Sequence, residues 1–139
     1  MTDLPDVNVW LALADENHLP HPRAVAYWQN EAAPTIAFCR VTMLGFLRLA
    51  THPKGLTYPL TNVAAWELLD RYRNEPGVGL IDDSWESDKE FRLISSAPDF
   101  PHHLWTDAYL ASLARLTDSR VVSFDNDFKR FDNLDFLQL

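Results

Sequence analysis

Short apolar runs alternate with longer stretches of helical periodicity along the whole of this 139-residue chain. A chain built strand, helix, strand in regular alternation can bury its short strands only in a parallel sheet covered by helices on both faces. The order read from the residues begins with a very short strand around Leu4, cut off by Pro5, and a helix over Val7 to Ala14. Pro20 and Pro22 open a second helix, Arg23 to Glu31, since proline is tolerated in a first turn. Thr35 to Phe38 is the second strand.

The next helix is expected to be capped by Thr42 and to run through Ala50, with Val41 and Phe46 as a hydrophobic staple and Pro53 beyond its end. Thr61 caps another, in which Val63, Trp66, Leu69 and Tyr72 share one face at helical spacing. Pro76 and Gly77 stop it, and Val78 to Ile81 forms strand three. Ser87 and Glu90 have the spacing of a capping box ahead of Phe91, Leu93 and Ile94. After the loop from Pro98 to Pro101, Thr106 is expected to cap a helix to about Leu116. Val121 to Phe124 is strand four, Asn126 to Phe131 a short helix, and Phe136 to Leu139 a closing edge strand. The expected fold is therefore α/β: a three-layer sandwich with a central, mainly parallel five-stranded sheet, in one domain spanning residues 1–139.

Three aspartates stand at the start of helical segments: Asp6 in LPDVNVWLAL, Asp107 in HLWTDAYLASLA and Asp125 in RVVSFDNDF. In open parallel sheets ligands gather at the carboxyl ends of strands, beside a reversal of strand order. Asp6 and Asp125 each follow a strand and belong at that edge, and Asp107 can join them from a helix N-terminus facing the same way. One aspartate at a helix start is ordinarily a cap. Three pointed at one place repel each other and lose hydration, so such an arrangement needs a cation, and Mg²⁺ or Mn²⁺ suits oxygen ligands.

Bulk properties narrow the alternatives. A net charge of −8 with 20 acidic residues excludes a nucleic-acid coat protein but leaves room for a nuclease with a local basic rim, or for a protein that docks to a basic partner. No apolar run approaches the roughly 20 residues that cross a bilayer. The opening MTDLPDVN has no basic segment, so a cytoplasmic location is expected. The single cysteine, Cys39, pairs with nothing in the chain. The four glycines form no phosphate-cradling loop, and no Ser-His-Asp arrangement stands out.

These segments resemble the PIN-domain nucleases, and more closely the VapC-type toxin ribonucleases of toxin–antitoxin pairs. DVNVWLALADENHLPH is similar to the family's opening D-x-N segment and first helix, TDAYLASLA to its third acidic motif and VVSFDNDF to its fourth. CRVTMLGFLRLATHP is similar to the segment that carries the second acidic position. The resemblance covers almost the whole chain. It implies a PIN-like fold, endonucleolytic cleavage of RNA, Mg²⁺ or Mn²⁺ at an acidic cluster, a cognate antitoxin and a homodimer. Carried over by position, Asp6, Asp107 and Asp125 become catalytic metal-binding carboxylates and Asp127 an auxiliary metal-binding acid. Asn8 and Ser123 become the groups that orient them. The family's second acid is matched here to Met43, which cannot serve as a hard oxygen ligand.

Other residues carry weaker signals. Arg40 and Arg48 flank the second segment within reach of a phosphate, although solvated helix-face charge is the plainer reading. The five histidines show no ligand spacing, and Trp10, Trp28 and Trp66 read as core or dimer interface. Trp85 and Trp105 lie nearer loops, where base stacking is conceivable. Two rival functions remain at this point. One is a PIN-like module that binds RNA or a partner with weakened or no catalysis. The other is phosphatase chemistry, whose D-x-D-x-T-type opening is absent after Asp6.

Overall fold

The computed structural model describes residues 1–139. Its strands are β1 (Thr2–Pro5), β2 (Thr35–Phe38), β3 (Val78–Leu80), β4 (Ser119–Ser123) and β5 (Phe136–Gln138). Its helices are α1 (Val7–Ala14), α2 (His21–Asn30), α3 (Arg40–Ala50), α4 (Asn62–Asn74), α5 (Ser87–Ser95) and α6 (Trp105–Leu116), with short 3₁₀ turns at His102–Leu104 and Asn126–Arg130. The five strands form one sheet in the order β3-β2-β1-β4-β5, and every pairing is parallel. From β1 the chain steps outward to β2 and β3, then returns to place β4 on the other side of β1. The reversal of order therefore falls between β1 and β4, whose carboxyl ends are Pro5 and Ser123.

Alternation of side chains along the strands sorts the core into two layers. Leu4 and Val121 point toward α6, where Ala108, Ala111 and Ala114 let the helix lie close to the sheet. Ile36 and Phe38 point the other way, into a layer with Trp10, Phe46 and Leu69 from α1, α3 and α4. Val122 joins Val9 and Tyr27 on that same side. The fully buried Trp10 stacks on Phe38 with ring centroids 3.8 Å apart, anchoring α1 to β2.

At the amino end of the sheet, a buried polar network replaces apolar packing. Asp3, fully buried on β1, accepts hydrogen bonds from Arg120 Nε (2.8 Å), the Tyr27 hydroxyl (2.8 Å) and the Ala33 N–H (2.9 Å). Burial, with the Asp3 carboxylate beside it, holds the Tyr27 phenol far above its ordinary range.

Several local expectations are corrected. Helix α3 starts at Arg40, with Cys39 at its cap position. Thr42 lies inside the first turn, where its hydroxyl accepts the Cys39 N–H at 2.9 Å and donates to the Cys39 carbonyl. Val41 and Phe46 pack on opposite layers, so they form no staple. Helix α2 begins at His21. Ser87 caps nothing: its hydroxyl donates to the Ser84 carbonyl, and Glu90 is taken up by Arg115 at 2.6 Å. Helix α6 continues from a 3₁₀ turn and needs no cap from Thr106. On α4 the buried positions are Ala65 and Leu69, while Val63 and Trp66 face outward. The small Ala65 allows α4 to approach α3, and that approach rotates the larger residues out of the core. Thr61 does cap α4, accepting from the Ala64 N–H.

Candidate active site

The ends of β1 and β4 are tied together by side chains that leave the strands at the reversal of order. Asp6 keeps extended backbone (φ −65°, ψ 160°) between β1 and α1. Its Oδ1 accepts the Val7 N–H at 2.7 Å, capping α1, and its Oδ2 accepts from Ser123 Oγ at 2.8 Å. The same Ser123 oxygen accepts from Asn8 Nδ2 and from the Asp125 N–H, each at 3.0 Å. Asn8 Oδ1 takes the Phe124 N–H at 3.3 Å, so one turn of α1 is fastened to the end of β4. Asp125 Oδ1 accepts the Asp127 N–H at 2.9 Å, opening the 3₁₀ turn. The Asp-Asn-Asp run thus does what short polar turn residues ordinarily do, and it also fixes where two carboxylates stand.

Asp107 enters from the first turn of α6. One carboxylate oxygen each from Asp107, Asp125 and Asp127 all lie within 4.8 Å of one another. Asp6 stands beside this trio rather than in it, with both oxygens already held by protein donors. The ranking of the acids therefore changes in one respect. Asp127, treated in sequence as auxiliary, is nearer to Asp107 and Asp125 than its turn chemistry suggested.

The electrostatics follow from that crowding. Desolvation first, and then the charges of Asp6, Asp125 and Asp127, push the Asp107 carboxyl up to about 7. Desolvation also raises Asp6, with the Ser123 and Val7 hydrogen bonds opposing it and the Asp125 charge adding to it. All charged groups that shift these two carboxyls are other carboxylates. Converging oxygen donors with no lysine or arginine to neutralise them match the requirements of a hard divalent cation.

Met43 does not face this site. It is buried with Trp10, Phe38 and Phe46, where a carboxylate would meet only apolar atoms. Met43→Glu is accordingly expected to cost about 3 kcal/mol or more of stability. A thermal melt that matched the parent protein would contradict this placement. The α3 residues that line the cleft beside Asp6 include Val41, Gly45 and Arg48. Of these three only Arg48 was marked in the sequence, as within reach of a phosphate, although their i, i+4, i+7 spacing puts them on one face. It carries no carboxylate.

A profile of the PIN domain matches residues 4–134. The chain belongs to the PIN-domain family. Among its relatives, Ribonuclease VapC41 of Mycobacterium tuberculosis is 31% identical over 140 aligned positions, covering 95% of this chain and 94% of that one. Among solved structures, the fold resembles M. tuberculosis VapC20, a sarcin–ricin loop cleaving toxin, with a TM-score of 0.73 at 16% identity over 92% of this chain and 93% of that one. It also resembles VapBC2 from Rickettsia felis, solved bound to a DNA fragment from its promoter, with a TM-score of 0.69 at 15% identity over 100% of this chain and 99% of that one. In this PIN domain the all-parallel sheet agrees with the expected sandwich, whereas the carboxylates that meet are Asp107, Asp125 and Asp127, with Asp6 to one side. The Met43 position lies in the core instead.

Proposed function

We propose that this PIN domain is the toxin ribonuclease of a VapBC-type toxin–antitoxin pair, an endoribonuclease that hydrolyses RNA phosphodiesters with a bound Mg²⁺ or Mn²⁺. The observation that carries the reading is the meeting of Asp107, Asp125 and Asp127, with Asp6 alongside, at the switch point of the sheet. The ribonuclease relative over nearly the full chain supports the same activity. Asp107, Asp125 and Asp127 would hold the ion, and Asp6 would complete its surroundings from the α1 side through its remaining lone pairs. Ser123 and Asn8 hold Asp6 in that orientation. A divalent ion in such a place supplies activation of a water molecule and neutralisation of charge on the phosphate oxygens.

The antitoxin partner is supported by the VapBC2 neighbour and by the unbalanced negative charge of the site, which suits a basic side chain when RNA is absent. A homodimer and a cytoplasmic setting complete the proposal. No helix of the chain is long and apolar enough to cross a membrane.

The test is incubation of the purified protein with RNA in Mn²⁺, in Mg²⁺ and in EDTA across a range of pH. Cleavage is expected only with the metals. Because the ion requires Asp107 as a carboxylate, Mn²⁺ affinity should rise with pH to about 7 and level off above it. Calorimetry at pH 6 should register proton release on binding. RNA binding with no cleavage under any condition would favour the non-catalytic module instead.

A further inference from the structure

Beside Asp6 a cleft of about 630 Å³ opens between α3 and α4, within the roughly 300–1,000 Å³ range of pockets that hold small ligands. Its lining includes Val7, Gly45 and Ala65 together with Arg48 and Trp66. The close approach of α1 and α3 depends on Gly45, where an added Cβ would lie 2.6 Å from Val7 Cγ2. Arg48 is the one cationic side chain lining the cleft, and it takes part in no ion pair of the molecule. Trp66, from the facing helix, is 49% exposed and packs against no other aromatic ring. An unpaired guanidinium and an unstacked indole therefore share one apolar cleft whose edge is Asp6.

We propose that this cleft is a nucleotide subsite of the RNA substrate, in which Arg48 holds a phosphate adjoining the scissile one and Trp66 stacks on the attached base. The assignment rests on the ribonuclease reading and specifies how that site captures its substrate. Even with a divalent ion on the acids, a chain of net charge −8 repels a polyanion over the rest of its surface, and a fixed cation beside the site offsets that repulsion. Arg48 is placed to be that cation, and its planar fork matches phosphate oxygens. The same charge argues against a basic side chain in this cleft, which Arg48 would repel. Stacking on an indole is indifferent to base identity, so the subsite positions the strand without choosing its sequence.

The experiment compares the full-length protein with Trp66→Ala, Trp66→Phe and Arg48→Ala, using a mixed-sequence single-stranded RNA. Binding is measured in EDTA at several salt concentrations, and KM and kcat in Mn²⁺. Both side chains are exposed, so thermal melts should match the parent and exclude misfolding. Trp66→Ala is expected to weaken binding and raise KM by roughly 10- to 100-fold, with Trp66→Phe recovering most of the loss and kcat nearly constant. Arg48→Ala is expected to weaken binding and to reduce the salt dependence by about one phosphate contact. Variants that bind and cleave like the parent would overturn the subsite while leaving the ribonuclease reading intact. A parent protein that neither binds nor cleaves RNA would defeat both. A polyglutamate peptide bound as tightly as RNA, and as sensitive to Arg48→Ala, would make the cleft an acidic-peptide site and overturn the assignment to RNA.

Discussion

Asp107→Asn is expected to lower the rate of RNA cleavage by about 10³-fold, because the charge stabilisation supplied by a metal site amounts to several kcal/mol and each 1.4 kcal/mol is a factor of ten. The same change should make the metal-free protein more stable. Asp107 is half-buried, and like charges and desolvation hold its carboxyl near 7, so the folded protein keeps a proton that the unfolded chain releases near pH 4. Between those two values the unfolded state binds fewer protons, and the stability of the metal-free fold falls as pH rises, levelling off above about 7. Asparagine removes that liability. Thermal melts at pH 8 should therefore show a higher Tm for the variant in EDTA. Added Mn²⁺ should raise the Tm of the parent and leave the variant where it was. A variant that melts below the parent in EDTA, or that still gains Tm from Mn²⁺, would mean that the acids do not share a site as their geometry indicates.

The second large effect lies at the opposite end of the sheet. Asp3→Ala should cost about 3–5 kcal/mol, since it strands the Arg120 guanidinium, the Tyr27 hydroxyl and the Ala33 N–H in a place where Asp3 is wholly buried. For a chain of this length the Tm should fall by roughly 10–20 °C. Among molecules still folded, the cleavage rate should be unchanged, because Asp3 lies two residues before the carboxyl end of β1 and its side chain is taken up by Arg120, Tyr27 and Ala33. Replacing Asp3 and Arg120 together by apolar residues of similar size should be milder than Asp3→Ala, because no unpaired guanidinium is left, although the Tyr27 hydroxyl and the Ala33 N–H still lose their acceptor. A single Asp3→Ala variant with the parent's melting temperature would show that the network contributes little.

These two aspartates differ in how far they could be read beforehand. Asp107 sits in a helix start with a recognisable pattern around it, so local sequence was enough to nominate it for the functional edge. Asp3 sits three residues before Asp6 and has no signature of its own. Its partners come from residues 27, 33 and 120, and only the pairing of β1 with β4 brings Arg120 alongside. Long-range polar pairing of this sort leaves no periodic trace in a single chain.

The order of strands and helices, the proline and threonine punctuation at Pro22 and Thr61, and the aspartates at helix starts were determined by the sequence alone. Each is a local preference of backbone and cap that nearby residues are enough to express. Tertiary structure decided which side chains meet. A helix turns by about 100° per residue, so the two-residue step from Met43 to Gly45 separates core from cleft, and only the packing of α3 against α1 and α4 sets that rotation. The same packing turned Trp66 outward from the stripe expected to bury it. It was likewise the docking of α6 on the sheet that brought Asp107 within 4.8 Å of Asp125 and Asp127, while Ser123 held Asp6 to one side.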